Sequence, residues 1–286
     1  MIEEREIVRK HYSREEVRSE VMKFSKGRWI ALSGRKWIRY FSGRPITVEM
    51  LSLPETLINT GTRAVYSTAS IYGKLYSKCD AFDPSNFIAV TPFLDIDNEL
   101  ENWRGTVEAV RIAVDILNSL GISKSVYVLW SGRGAHVRVN EFSFSEGLRN
   151  LDSAWALIEL LRMRVEAGLL ELGARLRSSL KVENQMKPRA LFTVPLSLHK
   201  KLNRVAVCVN PDELDDFEIS WTDPESFRHW KHWERYEEGE ADKAAEEALS
   251  KLGGYSARSF RKREPPVDEM VRKFLDPQRW NRSTIG

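Results

Sequence analysis

The chain has 286 residues, 42% of them hydrophobic and 30% charged, an ordinary balance for a soluble globular protein with ample capacity to bury a core. There is no run of 18 apolar residues and the N-terminus MIEEREIVRKHYSREE is charged throughout, which excludes a membrane span and a secretory signal, and the two cysteines, Cys79 and Cys208, exclude a disulfide framework or a Cys/His zinc site. The net charge of +3 is unevenly spread: residues 1–50 carry 12 Lys/Arg against 7 Asp/Glu and residues 255–286 carry 8 against 4, so the basic ends suit phosphate contacts or a solvated surface.

Residues 1–24 read as helix, with Ile7, Val8, Tyr12, Val17, Val21 and Phe24 at helical spacing. Residues 28–41 alternate in part and predict a hairpin turning at Ser33-Gly34, and RAVYST over 63–68 reads as a strand. The apolar run FIAVTPFLD over 87–95 predicts one buried strand ending in acids. Trp103, Val107, Val110, Val114 and Leu117 mark one helix face, closed by Gly121. Strands follow at 125–130 and 135–139 around the turn 131–134, a strand–helix–strand–turn–strand unit that predicts an α/β fold. A long helix is expected over 151–178, strands near 189–194 and 203–209, a charged helical region over 224–250, a linker over 257–266 and a last helix over 267–276.

Asp95 and Asp97 sit two residues apart on an extended segment, so their side chains share one face while Ile96 points the other way. Two carboxylates this close repel, and a divalent cation with hard-ligand preferences removes that cost. A solvated strand end is the other reading. Ser131-Gly132-Arg133-Gly134-Ala135-His136 lies between two strands. Its glycines let backbone approach a ligand, its amides can form an anion nest, and Arg133 offers a planar fork to phosphate. A glycine-rich hairpin with a structural histidine is the alternative. No Walker loop is present.

Taken together, FLDIDNE, then WSGRGAHVRVNE about thirty residues on, then VPLSLHKK resemble the archaeal–eukaryotic primase superfamily, especially the small catalytic subunit of archaeal-type primase and related primase-polymerases. The likeness covers about residues 60–220, and Tyr66-Ser67 matches a segment upstream of the acids. It implies a Prim-Pol fold, a cracked α/β barrel with an RRM-like half, over residues 1–222, followed by a helical, basic extension over 223–286. It also implies a template-directed nucleotidyltransferase that makes or extends primers from nucleoside triphosphates. Asp95 and Asp97 would bind Mg²⁺ or Mn²⁺. Ser131, Gly132, Arg133, Gly134 and His136, with Ser197, His199, Lys200 and Lys201, would hold the triphosphate. The partners implied are single-stranded template and primer, with a primase large subunit as a candidate, in a cytoplasmic, nucleoid-associated setting.

Two departures stand out. The family's third metal acid, commonly Asp, is missing, and Glu183 is the only acid between 172 and 212, so it is the expected stand-in. A surface Glu in a loop is the other reading. The zinc knuckle common in primase small subunits cannot be built, and no zinc is expected. Alternatives within reach are a gap-filling repair polymerase of the same superfamily and a catalytically degenerate scaffold subunit. Phe227, Trp230 and Trp233 recur every third residue among Arg228, His229, Lys231, His232 and Arg235. That pattern reads as a nucleic-acid platform, a partner-docking surface, or an amphipathic helix docked on the core.

Overall fold

The computed structural model describes residues 2–176 and 180–256. The expected linker over 257–266 and helix over 267–276 lie outside the described residues, as does the end of the helix expected over 151–178. Among the described residues no helix is long and apolar enough to cross a membrane.

The expected N-terminal helix is two helices, α1 (Ile2–Tyr12) and α2 (Glu15–Ser25), parted where Arg14 turns extended at φ −67°, ψ 129°. The next hairpin pairs β1 (Arg28–Gly34) with β2 (Trp37–Ile38). Ser33 faces Trp37, so the turn falls at Arg35-Lys36 rather than at Ser33-Gly34. A second small hairpin follows, β3 (Tyr40–Phe41) with β4 (Arg44–Pro45). Then come α3 (Glu55–Thr60), β5 (Thr62–Tyr72), which runs further than the expected 63–68, and α4 (Lys78–Phe82).

The run FIAVTPFLD is not one strand. It divides into β6 (Phe87–Val90) and β7 (Phe93–Asp97), which join different sheets. Pro92 at the division has no N–H to give to a ladder, so the strand cannot continue through it. From β7 the chain runs through α5 (Trp103–Ser119), β8 (Val126–Trp130), β9 (Ala135–Val139), α6 (Leu151–Leu176) and β10 (Lys181–Asn184). This is a β-α-β-β-α-β unit with antiparallel strand order β10-β7-β9-β8, the RRM-like half that was expected. The chain then returns to the first sheet as β11 (Leu191–Thr193) and finishes the second with β12 (Val207–Val209) on β8. The first sheet runs β11-β5-β1-β2, with β6 also on β5. Two five-stranded antiparallel sheets with helices on the second confirm the α/β class read from the sequence.

The period-2 pattern of β7 decides which way the site faces. Leu94 and Ile96, opposite Val137 and Ala135 on β9, are fully buried beneath α5 and α6. Val110, Ala113 and Leu117 of α5 and Ile158, Leu161 and Val165 of α6 complete that layer, each of them except Ala113 contributing about 1.5–3 kcal/mol of burial where fully packed. Phe93, Asp95 and Asp97 take the other face.

The two sheets are pinned where the chain crosses between them. Arg28, at the start of β1, is 1% exposed and donates to Glu141 Oε1 at 2.6 Å, Thr91 Oγ1 at 2.9 Å and Ala69 O at 2.7 Å. Thr91 in turn donates to Glu141 Oε2 at 2.8 Å. A buried charge pair of this kind is sustained by the bonds that satisfy its remaining atoms.

The region expected to be helical over 224–250 is helical only as α7 (Asp242–Leu252), which packs on α6. Residues 224–241 form an irregular strap on the core instead. Trp230 N–H donates to Cys208 O at 2.9 Å and Cys208 N–H to His229 Nδ1 at 3.0 Å. His229 Nε2 lies 3.3 Å from Glu20, and the buried Trp233 indole donates to Glu20 as well. Of the readings of the aromatic-basic segment, docking on the core accounts for these contacts, but as a strap tied by tertiary bonds and not as an amphipathic helix.

Candidate active site

Register assembles the acids. Antiparallel pairing sets Glu183 of β10 directly opposite Asp95 on one side, His136 of β9 opposite Asp95 on the other, and Lys181 opposite Asp97. Directly opposed residues in a ladder share a face. Asp95, Asp97, Glu183, His136 and Arg138 therefore project from one side of the second sheet. A cavity of about 410 Å³ opens there, lined by Phe93, Asp95, His136, Gln185, Arg189 and Leu191 among others. Leu191 belongs to the first sheet, so the cavity lies where the two sheets meet.

The two aspartates differ. Burial pushes the Asp95 carboxyl up, but the hydrogen bond from His136, backed by the positive charges of Arg138 and Lys181, outweighs it, and the net shift is downward. Asp97 is raised, first by burial, then by repulsion from Asp95, with Arg133 opposing. That repulsion is what a divalent cation would relieve, and the oxygen-only donor pair suits Mg²⁺ or Mn²⁺. Glu183 shares the face but is occupied: Lys181 Nζ lies 2.5 Å from its Oε1, and Gln185 Nε2 donates to its Oε2. Among the described residues no group of three His, Cys, Asp or Glu side chains is gathered tightly enough to hold a metal.

His136 Nε2 stands 3.3 Å from Asp95 Oδ1, and its Nδ1 is 2.9 Å from Arg138 Nη2. A guanidinium only donates, so Nδ1 must accept and the ring proton sits on Nε2, facing the acid. Arg138 is fully buried. Its Nη2 also donates to Thr193 O at 3.0 Å, and its guanidinium lies 3.9 Å from the centroid of the Phe192 ring. Among the described residues no carboxylate lies within ion-pairing distance of it. Arg138 was not among the residues singled out from the sequence, although its place two residues after His136 puts it on the same strand face.

The glycine turn is set by contact. Ser131 N–H and Oγ both donate to Gly134 O, at 2.9 and 3.2 Å, and Trp130 Nε1 donates to Gly132 O at 2.9 Å. A Cβ on Gly134 would meet Ile96 O at 2.4 Å, and one on Gly132, where φ is +134°, would meet His199 Cδ2 at 2.6 Å. Glycine is thus required at both positions, and the turn is wedged between the β7 acids and the SLHKK segment. Arg133 is exposed, with Nε 4.0 Å from Asp97 Oδ1.

His199 accepts at Nδ1 from Leu202 N–H at 2.8 Å and Lys201 N–H at 3.2 Å, which leaves its proton on Nε2. Its pKa falls to about 4, through burial first and then through Lys200, Arg63, Arg133 and Lys201. Four cations thus surround one uncharged donor, a setting for a polyanion. Lys200 and Lys201 are exposed there. Ser197 is not brought into this group. It is fully buried, accepts from Val65 N–H at 2.8 Å and donates to Leu198 O at 3.1 Å. α1 braces the same segment, with His11 donating to Leu196 O at 2.8 Å and Leu198 N–H donating to Tyr12 Oη at 3.0 Å.

No protein-family model matches the chain. No curated protein matches it either. Among solved structures it is similar to the polymerase domain of Mycobacterium tuberculosis ligase D in complex with DNA, at 16% identity and a TM-score of 0.52, over 88% of this chain and 90% of that one. It also matches the AEP domain of the cyanophage S-2L primase-polymerase at 13% identity and a TM-score of 0.39, over 68% of this chain and 91% of that one. The chain shares the fold of the first.

Proposed function

We propose that this chain is a template-directed nucleotidyltransferase of the primase-polymerase type, extending or initiating strands from nucleoside triphosphates. The observation that carries the reading is the register that sets Asp95 between His136 and Glu183, with Asp97 beside it and the cations around His199 adjoining. Acids for metals and donors for a triphosphate then lie next to one another, with Arg133 4.0 Å from Asp97, as phosphoryl transfer requires. The fold shared with a ligase D polymerase domain bound to DNA is compatible with it.

Asp95 and Asp97, joined by Glu183, would hold Mg²⁺ or Mn²⁺, which when bound lowers the pKa of an attacking hydroxyl and neutralises charge on the phosphates. In the reaction a 3′-hydroxyl oxygen bonds to the α-phosphorus, and the bond to pyrophosphate breaks. Arg133, His199, Lys200 and Lys201 would hold the triphosphate, with the Gly132 and Gly134 backbone and Ser131 shaping its bed. His136 would fix Asp95 through its Nε2 proton. Ser197 acts only as a brace. Residues 1–222 would carry the chemistry, with 223–286 as an extension. Template, primer and a large primase subunit belong to this reading as partners.

A second reading, a non-catalytic nucleic-acid-binding subunit, is favoured by the Lys181 and Gln185 bonds that occupy Glu183. Incorporation of labelled nucleotide on a primed template, with Mg²⁺ or Mn²⁺ and with chelator, decides between them. Cation-dependent incorporation supports the enzyme, and none under any condition supports the binding subunit. The same assay on unprimed single strands and on gapped duplexes separates a primase from a gap-filling polymerase.

A further inference from the structure

Away from the acids, one face of the first sheet carries an unusual grouping. The registers Ser33↔Trp37, Ala31↔Tyr66, Thr193↔Tyr66 and Leu191↔Thr68 put Trp37, Tyr66, Thr193 and Leu191 on the same side. Leu191 is also in the wall of the cavity at Asp95 and His136, so this face runs continuously from the candidate active site to the β2 edge. At that edge Trp37 is 50% exposed, and its ring is held 4.9 Å from the Tyr66 ring at 60°. A large aromatic side chain left open to water yet braced from behind forfeits burial, and it presents a flat apolar surface.

The adjoining turn is basic. Arg35 and Lys36 line a cavity of about 440 Å³ with Arg5, Asn59 and Thr60. Among the described residues Arg5, Arg35 and Lys36 form no ion pair, whereas the acid in the same lining, Glu4, lies 3.9 Å from Arg63. Two uncompensated cations in the turn that leads into the open, braced indole, with a third across the cavity they line, match a chain that alternates phosphates with flat bases.

We propose that Trp37, backed by Tyr66 and flanked by Arg5, Arg35 and Lys36, is a platform for single-stranded nucleic acid. A base stacks on Trp37 and the strand's phosphates lie against the three cations, the two contributions that make single-strand binding tolerant of sequence. The platform leads towards the acids across a single sheet face, so the strand it holds is the template. Only that last identification rests on the nucleotidyltransferase reading.

The test measures binding of a labelled oligothymidylate of about 20 nucleotides by anisotropy, with chelator and without nucleoside triphosphate. Trp37→Ala should weaken binding about ten-fold or more, and Trp37→Phe should restore most of it, since stacking needs only an aromatic face. Changing Arg5, Arg35 and Lys36 together to Gln should reduce the slope of log affinity against log salt by about 2. Unchanged affinity in Trp37→Ala with an unchanged slope in the triple variant overturns the platform. So does a Trp37→Ala variant that binds the strand normally but dissolves a dimer seen by sedimentation, because the face would then be a contact between copies. The two readings fail separately. A protein that incorporates no nucleotide but loses strand binding with Trp37 sinks the reaction and keeps the platform. A nucleotide-incorporating protein whose Trp37→Ala variant binds as wild type, with an unchanged slope in the triple variant, sinks the platform alone.

Discussion

Arg138 Nη2 lies 2.9 Å from His136 Nδ1, and this contact settles which nitrogen of the histidine faces Asp95. A fully buried guanidinium with no carboxylate partner among the described residues costs several kcal/mol of desolvation, which stacking on Phe192 and two acceptors recover only in part. Removing it should therefore affect activity and stability in opposite ways. Arg138→Met keeps the stem and removes the charge. Nucleotide incorporation should fall about 10- to 100-fold, the usual effect of losing a residue that orients a ligand. The melting temperature should stay level or rise. ¹⁵N shifts of the His136 ring should show the loss of a single Nε2–H tautomer. An Arg138→Met protein that melts much earlier while keeping that tautomer would make Arg138 a purely structural residue.

Glu183 is the residue on which the two functional readings divide. If it joins Asp95 and Asp97 during turnover, it must leave Lys181 and Gln185. Glu183→Gln then lowers the single-turnover rate by about two orders of magnitude, the scale of losing one charge-stabilising group. A rate within a few-fold of wild type would show that two carboxylates suffice.

Much of this site was legible in the sequence, because it rests on local periodicity. The same-face pair Asp95 and Asp97 follows from the two-residue repeat of a strand, and α5 from its apolar positions three and four apart. The glycine turn was legible from its two glycines between strands, and the structure adds that its neighbours leave no room for a side chain there. What could not be read depends on distant partners. β10, Lys181–Asn184, is half charged and has no apolar alternation, and only pairing with β7 makes it a strand. The aromatic repeat of 227–233 has helical spacing, yet bonds to Cys208 and Glu20 hold it as a strap. Pro92 was a readable signal for the division of 87–97. A buried Arg138 runs against the usual exposure of arginine, and only the aromatic pocket around it explains the exception.

Acid should weaken the fold through histidine. His11 is buried, and burial lowers its pKa from 6.5 to about 4. Between those values the unfolded chain binds a proton that the folded chain refuses. Stability is therefore fully present above pH 6.5 and is lost as the pH falls towards 4, by about 3 kcal/mol for a shift of this size. His199 shifts in the same direction. His11→Gln retains a donor for Leu196 O and removes the titration. Urea unfolding at pH 7 and pH 4.5 should show a smaller acid loss in the variant. An identical loss would contradict the assignment.

The pin between the sheets is open to a direct test of stability. Glu141→Gln leaves Arg28 buried without its counter-charge, and breaking one side of such a pair costs about 3–5 kcal/mol. Chemical denaturation should report that loss. A change under about 1 kcal/mol would mean that Thr91 and the backbone carbonyls alone satisfy Arg28.

The most direct measurement is incorporation of labelled nucleotide by Asp95→Asn/Asp97→Asn on a primed template with Mg²⁺ or Mn²⁺, beside wild type and with circular dichroism on both. The account predicts cation-dependent extension by wild type and none by the double variant, with the fold of the variant intact. Equal extension by the two proteins would contradict it.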